Sequence, residues 1–167
     1  SNQYDHVECF FKSSGTQGER SCHELIDVAI YKHSFEWSYA HFIGDIKDHV
    51  ILGLLPNYIE QGNSSLVYMV DALIQKSGSP SSQFIMNDFE EIKKVVADTK
   101  ASDKTLIIFG VAYSLLDLCD QKINLQDAIV IETGGMKGKR KELSKESMHL
   151  KLQKDLQMSE LYSEYGM

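Results

Sequence analysis

No apolar run in this sequence approaches the 18 residues a membrane-spanning helix needs, and no signal-peptide pattern opens it. The chain is therefore expected neither to span a membrane nor to be secreted. Cysteine is sparse. Cys9, Cys22 and Cys119 show no metal-ligand spacing, and an odd number leaves one unpaired, so free thiols in a reducing cytoplasm are expected. Positive charge is in deficit, with 17 Lys and Arg against 24 Asp and Glu for a net charge of −7, and no basic stripe carries interleaved aromatics. That balance argues against a nucleic-acid partner. The six histidines show no HExxH or comparable spacing, and no metal ligand is assigned. Both common phosphate signatures, GxxxxGK[ST] and GxGxxG, are missing. So are internal repeats, low-complexity tracts and linkers.

What remains is a chain of 167 residues, 43% hydrophobic and 25% charged, enough for one domain with a sizeable core. Short β-rich runs alternate with helical patterns. Val7–Lys12 reads as a strand, and Val28, Tyr31, Phe35, Tyr39 and Phe42 recur at helical steps up to Gly44. His49–Leu55 reads as a buried strand, stopped by Pro56-Asn57. Ser64-Ser65 caps a helix with Leu66, Val67, Val70, Leu73 and Ile74 on one face, and Gly78-Ser79-Pro80 ends it. Phe84–Met86 is a short strand candidate, and Asn87 or Asp88 caps a helix carrying Phe89, Ile92, Val95 and Val96. Leu106–Ala112 is a continuous apolar strand, followed by a short helix through Leu115, Leu116 and Leu118. Ala128–Ile131 is the next strand, Ser144 caps a helix with Met148, Leu152 and Leu156, and Leu161–Ser163 is the last strand. This alternation predicts an α/β fold, a three-layer sandwich with a largely parallel sheet covered on both faces.

Ligands of such sheets sit at the carboxyl ends of the strands. Three strand ends here are rich in glycine or hydroxyls: 13–18, 132–138 and 163–166. In the first, Ser13, Ser14 and Thr16 offer hydroxyls while Gly15 and Gly18 let backbone N–H groups close around an anion, with Lys12 beside them. Taken alone the turn is an ordinary polar loop as readily as a phosphate cradle.

Taken together, three segments resemble the adenylate-forming superfamily, and most closely the LuxE-type acyl-protein synthetases related to phenylacetate-CoA ligases. They are Phe11-Lys12-Ser13-Ser14-Gly15-Thr16-Gln17-Gly18, Ile131-Glu132-Thr133-Gly134-Gly135-Met136-Lys137-Gly138 and Ser163-Glu164-Tyr165-Gly166-Met167. The stretch from Leu54-Leu55-Pro56-Asn57-Tyr58 through Asn63-Ser64-Ser65-Leu66-Val67-Tyr68 is similar to that family too. The resemblance implies that residues 1–167 are the central part of an adenylate-forming N-terminal domain. The partner Thr-Glu pair, a ribose-binding aspartate, the C-terminal lid domain and an acylated cysteine would then belong beyond Met167.

It further implies ATP and Mg2+ as cofactors. A carboxylic acid, by the resemblance a fatty acid, would be activated as its acyl adenylate. Transfer would follow to a thiol acceptor, which is a protein cysteine, a carrier protein or coenzyme A. By the same resemblance Ser13, Ser14, Gly15, Thr16 and Gly18 would bind the ATP phosphates, and Gly134, Gly135 and Tyr165 would frame adenine. No catalytic residue is assigned. Two departures stand out: Gln17 replaces a threonine of the family loop, and Glu19-Arg20-Ser21 offers no lysine where the family has one. They motivate the alternative of a non-catalytic nucleotide-sensing or protein-interaction module on the same scaffold.

Other residues are read more plainly. Cys9 and Cys119 are expected to be packing thiols and Cys22 is unassigned. His33 and His41 are expected on the surface or in packing. Lys137, Lys139, Arg140 and Lys141 form a basic cluster, either a solvated loop or an attractor for polyphosphate. Phe35, Trp37, Tyr39 and Phe42 have a helical spacing that predicts core packing, which leaves Tyr58 as the acyl-pocket candidate. Asp88, Glu90 and Glu91 suit the dipole of a first helical turn and are given no catalytic role.

Overall fold

Strand β3 (His49–Leu54) is buried at every position, as an interior strand of a parallel sheet must be. It anchors a computed structural model that describes residues 9–12, 22–55, 63–134 and 143–164. With β4 (Gln83–Phe84), β5 (Thr105–Gly110), β6 (Ala128–Glu132) and β7 (Glu160–Ser163) it forms a five-stranded sheet in the order β4-β3-β5-β6-β7, parallel throughout. Helices cover both faces, so the predicted three-layer α/β sandwich is what the chain forms.

Alternation along the strands sorts the core into two halves. Ile51, Leu55, Ile107, Phe109 and Ile131 face α1 (Val28–Phe42) and α2 (Ser65–Ser77) through Phe35, Tyr39, Val70 and Leu73. Val50, Leu52, Leu54, Ile108 and Val130 face the other way. They pack on α3 (Phe89–Lys100), α4 (Ala112–Asp120) and α5 (Lys145–Leu156) through Ile92, Val95, Leu115, Met148 and Leu152. The chain leaves β3 over the first face to reach β4, then returns over the second face to reach β5. The switch of face and direction lies between β3 and β5.

Capping follows the sequence. Ser64 accepts from Val67 N, Asp88 from Glu91 N and Ser144 from Ser147 N, and Gly78 ends α2 at φ 62°. The short β4 cannot satisfy all of β3, and hydroxyls complete the ladder. Ile51 N donates to Ser82 Oγ at 2.9 Å, and Ser82 and Ser77 share a 2.8 Å hydroxyl contact. The Ser77 hydroxyl in turn lies 2.7 Å from the Ile74 carbonyl.

Three expectations need correction. The first strand is β1 (Cys9–Lys12), and it does not join the parallel sheet; it pairs antiparallel with β2 (Cys22–Leu25), an unforeseen strand whose polar side chains carry no apolar alternation. The strand predicted over Leu106–Ala112 ends at Gly110. Val111 is already the cap of α4, and Leu115 packs so closely over Gly110 that an added Cβ would stand 2.6 Å from Leu115 Cδ2. Trp37 and Phe42 are 58% and 76% exposed, not core, because only Phe35 and Tyr39 of that series turn onto the sheet. His33 and His41 are exposed, as expected. Among the described residues no helix is long and apolar enough to cross a membrane.

His49 is a buried histidine at the start of β3, and Tyr39 Oη lies 2.9 Å from its Nδ1. Burial holds the imidazole below its ordinary pKa, against the pull of Asp48 and Asp45. The unfolded chain therefore binds this proton more readily than the folded one. Stability is complete above the unfolded value of about 6.5 and falls as pH drops from there toward the depressed folded value. Urea unfolding between pH 7.5 and pH 5 should show this loss, and His49→Gln should flatten it. Gly110→Ala should lower stability by about 1–3 kcal/mol in the same assay, the usual cost of overpacking a filled core.

Candidate functional site at the carboxyl edge of the sheet

Strand register fixes where the site can be. Leu54 pairs with Gly110, Gly110 with Glu132, and Glu132 with Ser163, so four carboxyl ends fall on one line. Backbone bonds extend the stitching past the ladder. Val111 N donates to Leu54 O at 3.2 Å, Thr133 N to Gly110 O at 3.0 Å, Ala112 N to Gly134 O at 2.8 Å and Glu164 N to Glu132 O at 2.8 Å.

The β1–β2 hairpin docks at the same edge. Lys12 N donates to Asn63 O at 2.9 Å, next to the Ser64 cap of α2. Phe11 is buried against Tyr31 and Tyr68, with ring centroids 5.5 Å and 5.6 Å apart, and Tyr31 Oη donates to Ser65 O. Lys12 and Cys22, which flank the segment 13–21, are cross-strand partners.

Of the residues singled out from sequence, Gly134 lies within this edge. Its φ of +79° is left-handed, and no atom of the described residues would meet a Cβ there, so the backbone angle is what calls for glycine. Ser13, Ser14, Gly15, Thr16, Gly18, Tyr58, Gly135 and Tyr165 lie outside the described residues, as does the basic cluster at 137–141. Cys119 is a buried packing thiol near Leu115 O, and Cys22 is exposed. Asp88 and the two glutamates after it serve helix capping and ion pairs with Lys93 and Lys94.

Sequence reasoning missed a buried carboxylate. Glu132 is 4% exposed; its Oε1 accepts from Gly134 N at 2.5 Å and its Oε2 from Ser163 Oγ at 3.1 Å, with His149 Nε2 of α5 at 3.6 Å. Both oxygens are engaged, so Glu132 shapes the edge rather than offering itself to a ligand. The Thr133 hydroxyl beside it is buried without a hydrogen-bond partner among the described residues. The signal for Glu132 was present in the sequence: a lone acid closing an apolar strand just before Thr-Gly-Gly.

A groove opens on the α1–α2 face and reaches the same edge. It holds about 600 Å3. Its walls come from α1 (Phe35, Tyr39, Phe42), α2 (Met69, Leu73) and the sheet (Phe109, Ile131). Ser34 and Ser38 add hydroxyls, and Tyr31, Ser65 and Glu164 close the carboxyl-edge end. Tyr31 to Phe42 spans roughly 16 Å at the helical rise, so the α1 wall of the groove is long. Burial, and then the Glu132 carboxylate, hold Glu164 above the ordinary carboxylate range.

No group of three or more metal-ligating side chains stands together among the described residues. No protein-family model, curated protein or solved structure matches the chain.

The Glu132 bonds define a test. Glu132→Ala should cost about 1.5–3 kcal/mol, the worth of hydrogen bonds to a charged acceptor, measured from urea midpoints. Glu132→Gln keeps an acceptor for Gly134 N and should cost less.

Proposed function

We propose that this chain carries the nucleotide and acyl half-sites of an ATP-dependent acyl-protein synthetase of the LuxE type. The carboxylic acid it activates is a long-chain one, and the acceptor is a thiol. The observation that carries this reading is an apolar groove of roughly 16 Å that ends at the carboxyl edge of the sheet. The residues flanking 13–21 and the strand end Glu132-Thr133-Gly134 belong to the same edge. Pockets of some 300–1,000 Å3 with apolar walls and few polar groups are typical of small-molecule sites. An extended alkyl chain suits the long shape, and Lys12, Gly134 and Glu164, from the three segments of the resemblance, lie at the edge where its head would be.

The chemistry needs little covalent help. A carboxylate oxygen attacks the α-phosphorus of ATP, the bond to the bridging oxygen breaks and pyrophosphate leaves with the electron pair. Positioning and charge stabilisation dominate such a step. Ser13, Ser14, Gly15, Thr16 and Gly18 would hold the departing phosphates, with Mg2+ neutralising them. Gly134, Gly135 and Tyr165 would frame adenine, and Tyr58 remains a candidate for the acyl side. A thiolate then attacks the acyl carbonyl and AMP leaves, giving the thioester. Glu132 would keep the adenine-side turn in shape through Gly134 N. Cytoplasmic location is the setting that free thiols favour.

Carboxylate-dependent ATP–pyrophosphate exchange by the full-length protein tests the reading across a panel of short, long and aromatic acids. Exchange with long-chain acids, abolished by Gly15→Val, is expected. Ser38→Trp, which puts an indole into the groove, should shift the optimum to shorter acids. ATP binding by a folded protein with no exchange for any acid would favour the nucleotide-sensing module, to which Gln17 and the missing loop lysine point.

A further inference from the structure

Among the described residues Glu164 is the one carboxylate on the walls of the groove, and it stands at the end nearest the strand edge. It is half-buried, its backbone is fixed by the bond from its N–H to Glu132 O, and the Glu132 carboxylate deepens the negative field. Glu132 lies behind it with both oxygens already engaged. The Tyr31 hydroxyl, close enough to feel the charge, spends its proton on Ser65 O. No side chain among the described residues donates to the Glu164 carboxylate. Apart from the phenols of Tyr31 and Tyr39, the remaining walls are apolar groups, a backbone glycine-free surface and the serine hydroxyls of α1 and α2. A partly desolvated carboxylate without a donor is costly, and a ligand that supplies one recovers that cost.

We infer that Glu164 determines the specificity of the groove, selecting an alkyl-chain acid that bears a hydrogen-bond donor, an ammonium or a hydroxyl, on the carbons next to its carboxyl group. As a substrate assignment this rests on the adenylating reading, since only there must the acid's carboxyl group lie at the strand edge. With the carboxyl group at that edge, the first carbons pass Glu164 and the tail runs along Phe35, Phe109 and Met69 toward Phe42. A plain fatty carboxylate brings a second negative charge to Glu164 and nothing to pair with it. An adjacent ammonium pairs with Glu164 and separates the two carboxylates, and a hydroxyl supplies the same bond without the charge.

Direct binding tests this without turnover. Dodecanoate, 2-hydroxydodecanoate, 2-aminododecanoate and dodecylammonium are titrated below their aggregation concentrations, with calorimetric detection. On the wild-type protein 2-aminododecanoate should bind about tenfold or more tightly than dodecanoate, with 2-hydroxydodecanoate between them, the span of one charge-assisted hydrogen bond. Glu164→Gln, which keeps the shape of the side chain, should erase the order by strengthening dodecanoate and weakening dodecylammonium. Ser38→Trp should weaken all four alike, because it obstructs the groove and not its end. Dodecanoate binding as tightly as the amino acid would overturn the inference. So would an order that survives Glu164→Gln, or the failure of every probe to saturate. The exchange assay keeps the two claims apart. Exchange with plain fatty acids and no head-group order sinks this inference and leaves the enzyme reading standing. The predicted order with no exchange for any acid sinks the enzyme reading and leaves the groove's preference standing.

Discussion

Parallel pairing forces every strand to release the chain at the same edge. Here the register aligns Leu54, Gly110, Glu132 and Ser163, so four connections leave from one line. All else that matters for function follows from that constraint. Helices must return antiparallel to the strands, which brings the capped start of α2 to the edge, and Asn63 there receives the β1–β2 hairpin. The reversal between β3 and β5 sends the helices after β5 to one face. Among the described residues the opposite face is covered by α1 and α2, and the groove lies between them and the sheet beside β5 and β6.

The edge is then held by polar groups that the core cannot supply. Glu132 is the clearest case. A buried carboxylate persists only when its oxygens are engaged, and this one accepts from a backbone N–H and a serine hydroxyl, with His149 Nε2 3.6 Å away. Ser82 and Ser77 do similar service on the far side of β3, where a two-residue strand leaves Ile51 N without a ladder partner. In both places a side chain satisfies a backbone N–H that the strands leave unpaired, and at the carboxyl edge it also sets the shape of a turn.

Most of the architecture was legible because it is written locally. Ser64, Asp88, Ser144 and Gly78 cap helices as their residue types dictate, and continuous apolar runs marked β3, β5 and β6. The hairpin was not legible, because β2 reads Cys-His-Glu-Leu and is held by pairing rather than by an apolar face. The exposed Trp37 and Phe42 show the limit of periodicity: a helical stripe identifies a face but not how much of it the sheet reaches. Of the glycines in the three rim segments, Gly134 is placed at the edge, and 13–18, 135–138 and 165–166 lie outside the described residues. Glu132 and Glu164 were not foreseen, because an acid's burial depends on which neighbouring strand end supplies its partner, or fails to. The groove depends likewise on three elements far apart in sequence.

The central claim is that the groove and the strand edge are one site, with an alkyl chain in the first meeting a nucleotide at the second. Photo-crosslinking with a long-chain acid carrying a diazirine at its far end tests this most directly, with labelled peptides mapped by mass spectrometry with and without ATP. The account predicts labels in α1 and α2 around Phe42, Met69 and Leu73, strengthened when ATP is present. Labels elsewhere on the protein, or groove labels indifferent to ATP, would contradict it.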